Sequence, residues 1–147
     1  MNSFLMNINS IHNELNEMCN EIYDHLGPGH RECIYHRALE VELRGRNVKY
    51  DTEKNIEIKY KGHCVGIKSL DIILYLPSCD IPLELKSLKK VGCQEKNQLE
   101  QYLRNLNLET GFLINFPSTE GSTDAKVIKV INPYFNNPGK KKITQVF

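Results

Sequence analysis

The segment LDIILYLPSCDIPLELKSL, residues 70–88, is the most informative part of the sequence because it places two apolar runs on either side of a short turn. Leu70–Leu76 and Asp80–Ser87 are nearly continuous runs of Ile and Leu, which is typical of central strands covered on both faces. The segment Pro77-Ser78-Cys79 separates them. The stretch therefore predicts two adjacent strands, joined by a turn, at the centre of a sheet.

Three charged side chains, Asp71, Glu84 and Lys86, interrupt these apolar runs. Charged groups are rarely placed in such strands unless they are paired or bind a metal. A two-residue loop at Pro77-Ser78 would place Asp71 directly opposite Glu84, with their Cβ atoms ~4.5–5.5 Å apart. Lys86, two residues beyond Glu84, would share that face of the sheet. A longer turn is the alternative.

Two facing carboxylates repel each other unless a cation lies between them. A hard divalent ion, Mg²⁺ or Mn²⁺, suits oxygen ligands of this kind. A lysine beside such an ion can position or deprotonate a water and counter the charge of a phosphate. The pattern thus indicates metal-assisted hydrolysis of a phosphodiester. The alternative is an ordinary ion pair of Lys86 with Asp71 or Glu84 at a solvated sheet edge.

The segments on either side of this hairpin predict helices and further strands. Apolar residues recur at steps of three and four in three segments, which predicts helices from Ile11 to Leu26, about Arg31 to Arg44 and about Gln94 to Asn105. Short runs rich in Val, Ile and Tyr predict strands at Val48–Thr52, Asn55–Tyr60, Cys64–Lys68, Gly111–Phe116 and Ala125–Ile131. The predicted order, α-α-β-β-β-β-β-α-β-β, describes an α/β (α+β) protein.

Length and composition favour one folded domain. The 147 residues fit a single domain, with its core at about 10–131 and a C-terminal tail at 132–147. Nineteen basic against eighteen acidic residues exclude a strongly basic nucleic-acid-binding coat. Five scattered cysteines have neither disulfide-framework nor zinc-ligand spacing. Because the chain lacks a ~18-residue apolar run and a secretory signal pattern, an intracellular, soluble protein is expected, cytoplasmic or nuclear.

Four motifs in order resemble a known family. The segment LGPGHRECIY, residues 26–35, resembles the opening motif of the GxxExxY proteins, a branch of the PD-(D/E)xK nuclease superfamily, with Gly29, Glu32 and Tyr35 at its three named positions. Asp71 followed by the segment ELK, residues 84–86, resembles the core of that superfamily. The segment QLEQY, residues 98–102, is similar to the QxxxY motif of its lambda-exonuclease-like members, and GFLINF, residues 111–116, to the strand that follows it.

The resemblance implies a restriction-endonuclease-like core, which is a central mixed β-sheet flanked by α-helices. It implies that Asp71 and Glu84 ligate Mg²⁺ or Mn²⁺, with the Leu85 backbone carbonyl as a third ligand. It also implies that Lys86 orients or activates the attacking water.

The resemblance assigns roles to the helices as well. Glu32 would complete the coordination of the metal or of the water from the second helix. Gln98 would support the lysine or the phosphate, and Tyr102 would help to position the DNA backbone. Gly29 and Tyr35 would be structural positions of the opening motif.

These observations predict a Mg²⁺-dependent nuclease that hydrolyses DNA phosphodiester bonds without sequence specificity, since no recognition helix remains once the core is assigned. Lys89, Lys90 and Lys96 are candidates for phosphate contacts, whereas His30 and His36 are interpreted as surface histidines. The near-zero net charge favours a homodimer or a protein partner that helps to hold DNA. The alternative function is a catalytically silent nucleic-acid-binding or interaction module that retains the nuclease fold. The sequence leaves open whether the substrate is single- or double-stranded, whether it is DNA or RNA, and whether it is cut internally or from an end.

Overall fold

The computed structural model of the chain describes residues 7–136. In this part of the chain three helices and five strands follow one another in the order α-α-β-β-β-α-β-β. The helices are α1 (Ile11–Leu26), α2 (Glu32–Gly45) and α3 (Cys93–Leu106). The strands are β1 (Lys49–Tyr60), β2 (His63–Tyr75), β3 (Asp80–Lys86), β4 (Thr110–Asn115) and β5 (Lys126–Ile131). The three predicted helices are confirmed, each ending within one residue of its predicted bounds.

The five strands form one mixed sheet in the order β1-β2-β3-β4-β5. Neighbouring strands are antiparallel except for β3 and β4, which run parallel. A parallel pair needs a crossover connection, and α3 supplies it between β3 and β4. The central mixed sheet with flanking helices that the resemblance implied is therefore present, with β3 as its middle strand.

Between α2 and α3 the prediction of five strands is wrong, because the structure has three. The two segments predicted at 48–52 and 55–60 form the single strand β1, and those at 64–68 and 70–76 form β2. The side-chain pattern breaks where this long hairpin leaves the core, whereas its backbone pairing continues from Lys49↔Tyr75 to Tyr60↔His63. The apolar pattern of a sequence reflects the burial of side chains and not backbone hydrogen bonding. The prediction therefore split each of the strands β1 and β2 into two.

Each face of the sheet has its own apolar core. On one face α1 and α2 cover the buried side chains of the central strands, among them Ile72, Leu74, Ile81, Leu83 and Leu85. On the other face α3 packs through Leu99 and Leu103 against a smaller cluster. The chain thus buries its central strands on both sides, as their continuous apolar runs predict.

The end of the chain is only partly described. Of the predicted tail at 132–147, residues 132–136 continue beyond β5 and residues 137–147 lie outside the described residues. Within residues 7–136, no helix combines the length and apolar character that crossing a membrane requires.

Candidate active site

The β2–β3 hairpin has the predicted register. Its turn is closed by the Leu76 N–H, which donates to the Cys79 carbonyl at 3.0 Å, so the loop contains the two residues Pro77 and Ser78. Backbone pairing then runs from Tyr75↔Asp80 to Ile72↔Leu83. The next position in this register places Asp71 opposite Glu84, and the predicted two-residue loop is confirmed.

At Asp71 and Glu84, carboxylate side chains replace the backbone ladder between β2 and β3. The Asp71 N–H donates to Glu84 Oε1 at 3.2 Å. The Leu85 N–H donates to Asp71 Oδ2 at 2.8 Å. Beyond this point β3 pairs with β4 while β2 pairs with β1. The two carboxyl groups therefore lie where the two central strands separate.

Burial makes this position unfavourable for the charge of Glu84. Its side chain belongs to the buried residues, with 6% of the residue exposed. Burial first and the nearby charge of Asp71 second raise the pKa of Glu84 to about 8, although the Asp71 N–H and Lys86 act in the opposite direction. Burial is also the main cause that raises the pKa of Asp71. Without a cation the pair thus resists carrying two negative charges.

Lys86 lies at the end of β3, held by the neighbouring strand. The Lys86 carbonyl accepts a hydrogen bond from the Phe116 N–H at 2.9 Å. The amide of Asn115 binds both backbone groups of Leu88, at 2.9 Å and 3.0 Å. The Lys86 charge lowers the pKa of Asp71, Glu84 and Glu32. Within residues 7–136, however, no salt bridge joins Lys86 to a carboxylate.

Glu32 reaches the same site from the exposed first turn of α2. Partial burial and then the charge of Asp71 raise the pKa of its carboxyl, and Lys86 lowers it. These mutual effects show that Glu32, Asp71, Glu84 and Lys86 share one electrostatic environment. The four charged residues that the sequence predicted for the site thus lie near enough to influence one another's pKa.

The loop between α1 and α2 is fixed by Tyr35. Its hydroxyl donates to the Gly27 carbonyl at 2.6 Å and accepts a hydrogen bond from the His30 N–H at 3.2 Å. Its ring is fully buried and stacks on Phe116 with 4.4 Å between ring centroids. Gly29 has a φ of 101°, a backbone angle that residues other than glycine rarely adopt. Gly29 thus allows the turn of this loop, and Tyr35 binds the backbone on either side of that turn.

This loop is also tied to β3. The Ser87 hydroxyl donates to the His30 carbonyl at 3.1 Å, one residue after Lys86. The start of α2, which carries Glu32, is thereby connected to the end of β3. Tyr35 and Ser87 thus both bind the loop that leads into α2.

On the other face, α3 contributes Gln98 and Tyr102. The Tyr102 hydroxyl donates to the Ser69 carbonyl at 3.3 Å, two residues before Asp71. Burial, and then the charges of Glu84 and Asp71, raise the pKa of Tyr102 to about 12. Tyr102 thus stays protonated near neutral pH, and its single hydroxyl hydrogen is donated to Ser69. Gln98 lies exposed one turn earlier on the same helix.

The three lysines predicted to contact phosphate are all exposed. Lys89 and Lys90 lie in the segment between β3 and α3, and Lys96 lies in the first part of α3. Their exposure leaves them available to solvent and to a charged ligand.

Two residues that the sequence analysis did not select also belong to the site. His36 is 8% exposed, so its interpretation as a surface histidine is wrong. One ligating atom each from His36, Glu53 and Asp71 lie within 4.8 Å of one another. His36 follows Glu32 by one helical turn, and this spacing could have indicated it. Glu53 had no local signal, because only the β1–β2 register places it opposite Asp71.

Comparisons with known proteins agree with this fold. No curated protein matches the chain. The crystal structure of SSO0001 has a similar fold, with a TM-score of 0.52 at 21% sequence identity. The alignment covers 76% of this chain and 58% of SSO0001, so the chain spans little more than half the length of that protein.

The family comparison covers most of the chain. The family model described as the PD-(D/E)XK nuclease superfamily matches residues 9–129, which include all five strands up to Lys129 and the three helices. The matched region also contains the Asp71, Glu84 and Lys86 cluster. This chain belongs to the PD-(D/E)XK nuclease superfamily.

Proposed function

We propose that this protein is a Mg²⁺-dependent nuclease, or one that uses Mn²⁺, and that it hydrolyses DNA phosphodiester bonds without sequence specificity. Membership of the superfamily indicates a nuclease, and such nucleases usually use divalent metals. The observation that carries the proposal is the pair Asp71 and Glu84, which is held at the separation of β2 and β3 with Lys86 alongside. The GxxExxY branch is the part of the superfamily that the segment at 26–35 resembles.

The residues present fit a divalent cation. Glu84 is 6% exposed, its carboxyl accepts a hydrogen bond from the Asp71 N–H, and the charge of Asp71 raises its pKa. A buried pair of carboxyl groups is costly unless a cation or a proton compensates it. All the donors are oxygen atoms, which Mg²⁺ and Mn²⁺ accept. Asp71, Glu84 and the Leu85 carbonyl would hold the ion, with Glu32 as a further ligand from α2.

A divalent ion bound there would supply Lewis acidity toward the scissile phosphate. Lys86 would orient the attacking water and counter the negative charge that develops on the phosphate. Its lack of a salt bridge within the described residues leaves its charge available for that role and speaks against a merely structural ion pair. Gln98 would support this lysine or the phosphate. Tyr102 would help to position the DNA backbone, and to donate a hydrogen bond there its hydroxyl would have to leave the Ser69 carbonyl that accepts its hydrogen bond in the free protein.

DNA would contact the exposed lysines near the site, Lys89, Lys90 and Lys96. A formal net charge of +1 gives little general attraction to nucleic acid, so a second copy or a protein partner would help to hold the substrate. The chain would act as one domain, with its core at about 10–131 and a tail at 132–147. The second candidate function is a catalytically silent module that binds nucleic acid through the same fold.

The test is a cleavage assay on supercoiled plasmid, linear duplex and single-stranded DNA with Mg²⁺, Mn²⁺ or EDTA. Wild-type protein should cleave at least one substrate with metal and none with EDTA. The Lys86→Ala variant should lose at least about 100-fold in rate, the range expected for a group that acts in the transition state. The matched control is Lys129→Ala, which removes an exposed lysine from β5.

The same assay separates the alternatives. Equal cleavage by wild type and Lys86→Ala would identify a contaminant and overturn the proposal. Binding of labelled DNA without cleavage in any metal, unchanged in Lys86→Ala, would establish the silent module instead. Melting curves of both variants show whether loss of activity is loss of fold.

A further inference from the structure

We propose that the outer part of the β1–β2 hairpin, residues 54–69, is an arm that lies in the major groove of a B-form DNA duplex next to the active site. This role depends on the proposed function, because the arm would hold the DNA that the active site cleaves. The arm would thereby select duplex DNA as the substrate over single-stranded DNA and over duplex RNA.

The arm extends beyond the core of the protein. Ile56 is 4% exposed and packs into the cluster on the α3 face, so it holds the root of the arm. All of residues 57–69 are exposed except Ile58, which is partly buried. The outer arm therefore offers most of its side chains to a partner.

The arm is a paired ribbon and not an irregular loop. Backbone pairing continues to Tyr60↔His63 at its tip. Lys61 and Gly62 form the two-residue turn, with φ of 48° and 80°, as a tight hairpin turn of type I′ requires. Because its backbone is already ordered, the arm pays little conformational entropy when it binds.

Positive charge is concentrated in the arm. Four lysines (Lys54, Lys59, Lys61 and Lys68) and one glutamate give it a formal charge of +3. The rest of the chain has fifteen Lys and Arg against seventeen Asp and Glu, which gives a formal charge of −2. A polyanion such as DNA should therefore be attracted to the arm more than to the protein as a whole.

Three of these lysines have no carboxylate partner. Within residues 7–136, no salt bridge involves Lys59, Lys61 or Lys68, whereas Lys54 is paired with an aspartate. Lys59 belongs to β1 and Lys68 to β2, so the two strands of the ribbon can contact phosphates on both walls of a groove. Such contacts position DNA without reading its sequence.

Exposed apolar and aromatic side chains accompany these lysines. Tyr60, Val65 and Ile67 are 62%, 63% and 63% exposed, more than any other large apolar side chain of the described residues. In a groove they can pack against thymine methyl groups without forming the bidentate hydrogen bonds that read a sequence. A second copy of the chain could also cover them, but two arms of charge +3 repel each other. Charge therefore favours DNA over self-association.

The dimensions of the arm determine the form of nucleic acid. The major groove of B-DNA is about 12 Å wide and admits a two-stranded β-ribbon. The major groove of an RNA duplex is too narrow for side chains to read, and a single strand offers one backbone instead of two walls. His63 begins the strand that contains Asp71, and the eight residues between them span about 26 Å of extended strand. The arm would therefore follow roughly seven base pairs of the duplex from the active site.

Fluorescence anisotropy of the full chain in EDTA, where no cleavage occurs, tests the arm. The probes are a DNA duplex of about three helical turns, one of its single strands, and an RNA duplex of the same sequence. Wild type should bind the DNA duplex at least about tenfold more tightly than either other probe. Lys59→Gln/Lys68→Gln should weaken duplex binding at least about tenfold and lower the slope of log affinity against log salt by about 2.

The matched control is Lys49→Gln/Lys129→Gln, which removes the same charge from exposed positions outside the arm. This variant should bind the DNA duplex as wild type does. Circular dichroism of both double variants shows whether the fold is kept.

A second variant and a modified duplex test the major groove itself. Replacing residues 57–67 by Asn-Gly shortens the arm but keeps the pair Ile56↔Lys68 at its root. Glucosylated hydroxymethylcytosine fills the major groove with sugar, so it should weaken binding by wild type at least about tenfold compared with the unmodified duplex. The shortened variant should bind both duplexes equally and as weakly as wild type binds the glucosylated one.

Several outcomes would overturn the arm. These are no duplex binding by wild type, equal binding of the three nucleic acids, equal binding of the glucosylated and unmodified duplexes, or the same affinity in the arm and control double variants. A dimer in sedimentation velocity that the shortened variant loses, without a change in DNA affinity, would assign the arm to self-association instead.

The failure of the arm is distinguishable from the failure of the nuclease function. Cleavage that depends on Lys86, with unchanged DNA affinity in both arm variants, would overturn the arm and leave the proposed nuclease intact. Duplex binding that depends on the arm, in a protein that cleaves no substrate with any metal, would support the arm and contradict the nuclease.

Discussion

The two ends of the β2–β3 hairpin are built from the same strands but have opposite physical character. At the turn end, Ile72, Leu74, Ile81 and Leu83 are buried and their backbones pair in regular register. At the other end, the backbone ladder stops at Asp71 and two carboxyl side chains accept the hydrogen bonds of β2 and β3.

This difference indicates that the turn end of the hairpin stabilises the fold, whereas the carboxylate end lowers the stability of the folded chain. Burial of apolar side chains lowers the free energy of the folded chain. Burial of a carboxyl group next to another carboxyl raises it, unless a proton or a metal compensates the charge. The turn end should therefore be sensitive to loss of volume, and the carboxylate end to pH and to metal.

The largest expected effect is at the turn end. Leu83→Ala should lower the free energy of unfolding by about 3–5 kcal/mol, because it removes a fully buried side chain and leaves a cavity. Urea titration monitored by circular dichroism measures this loss. Val65→Ala, at a 63% exposed position in β2, is the matched control and should change stability by less than about 0.5 kcal/mol. A loss below about 1 kcal/mol in Leu83→Ala would contradict the assignment of stability to this end.

At the carboxylate end, removal of a charge should stabilise the metal-free protein. The pKa of Glu84 is raised from 4.5 to about 8, so the folded chain holds a proton between these values that the unfolded chain has released. The free energy of unfolding in EDTA should therefore fall as the pH rises from about 4.5 to about 8. Glu84→Gln should remove this fall and should be about 4 kcal/mol more stable than wild type near pH 8, but not near pH 4.5.

Urea titrations at both pH values measure this prediction, with Glu57→Gln as the exposed control. The interpretation of Glu84 as a destabilising charge would be wrong if Glu84→Gln were no more stable than wild type at pH 8. That interpretation would also be wrong if the difference in free energy of unfolding between Glu84→Gln and wild type were the same at both pH values.

A smaller effect is expected when metal is added. Mg²⁺ or Mn²⁺ at ten times its dissociation constant should stabilise wild type by about 1.4 kcal/mol, because only the folded chain brings the ligands together. For a chain of this size the melting temperature should rise by roughly 3–6 °C. Differential scanning fluorimetry at constant ionic strength measures it, and Glu84→Gln should respond less. A melting temperature indifferent to millimolar metal would count against the Asp71–Glu84 site.

Much of the site could be predicted because its signals are local. Apolar runs on both sides of Pro77-Ser78 predicted the turn, the register and the facing of Asp71 and Glu84. His36 was misinterpreted because its burial depends on packing of α2 beside β1 and β2. Glu53 was missed because nothing in its own segment distinguishes it from other exposed acidic residues of β1.

The amino-acid sequence alone predicted the three helices, the central hairpin, and Asp71, Glu84 and Lys86 as candidate site residues. These signals are local, because apolar periodicity and a charged residue within an apolar run are both visible among neighbouring residues. The joining of four predicted segments into the two long strands β1 and β2 became evident from the folded chain. The folded chain also brings His36 and Glu53 to Asp71. Both results depend on contacts between residues far apart in the chain, and side-chain pattern along one segment carries no information about the distance between two segments.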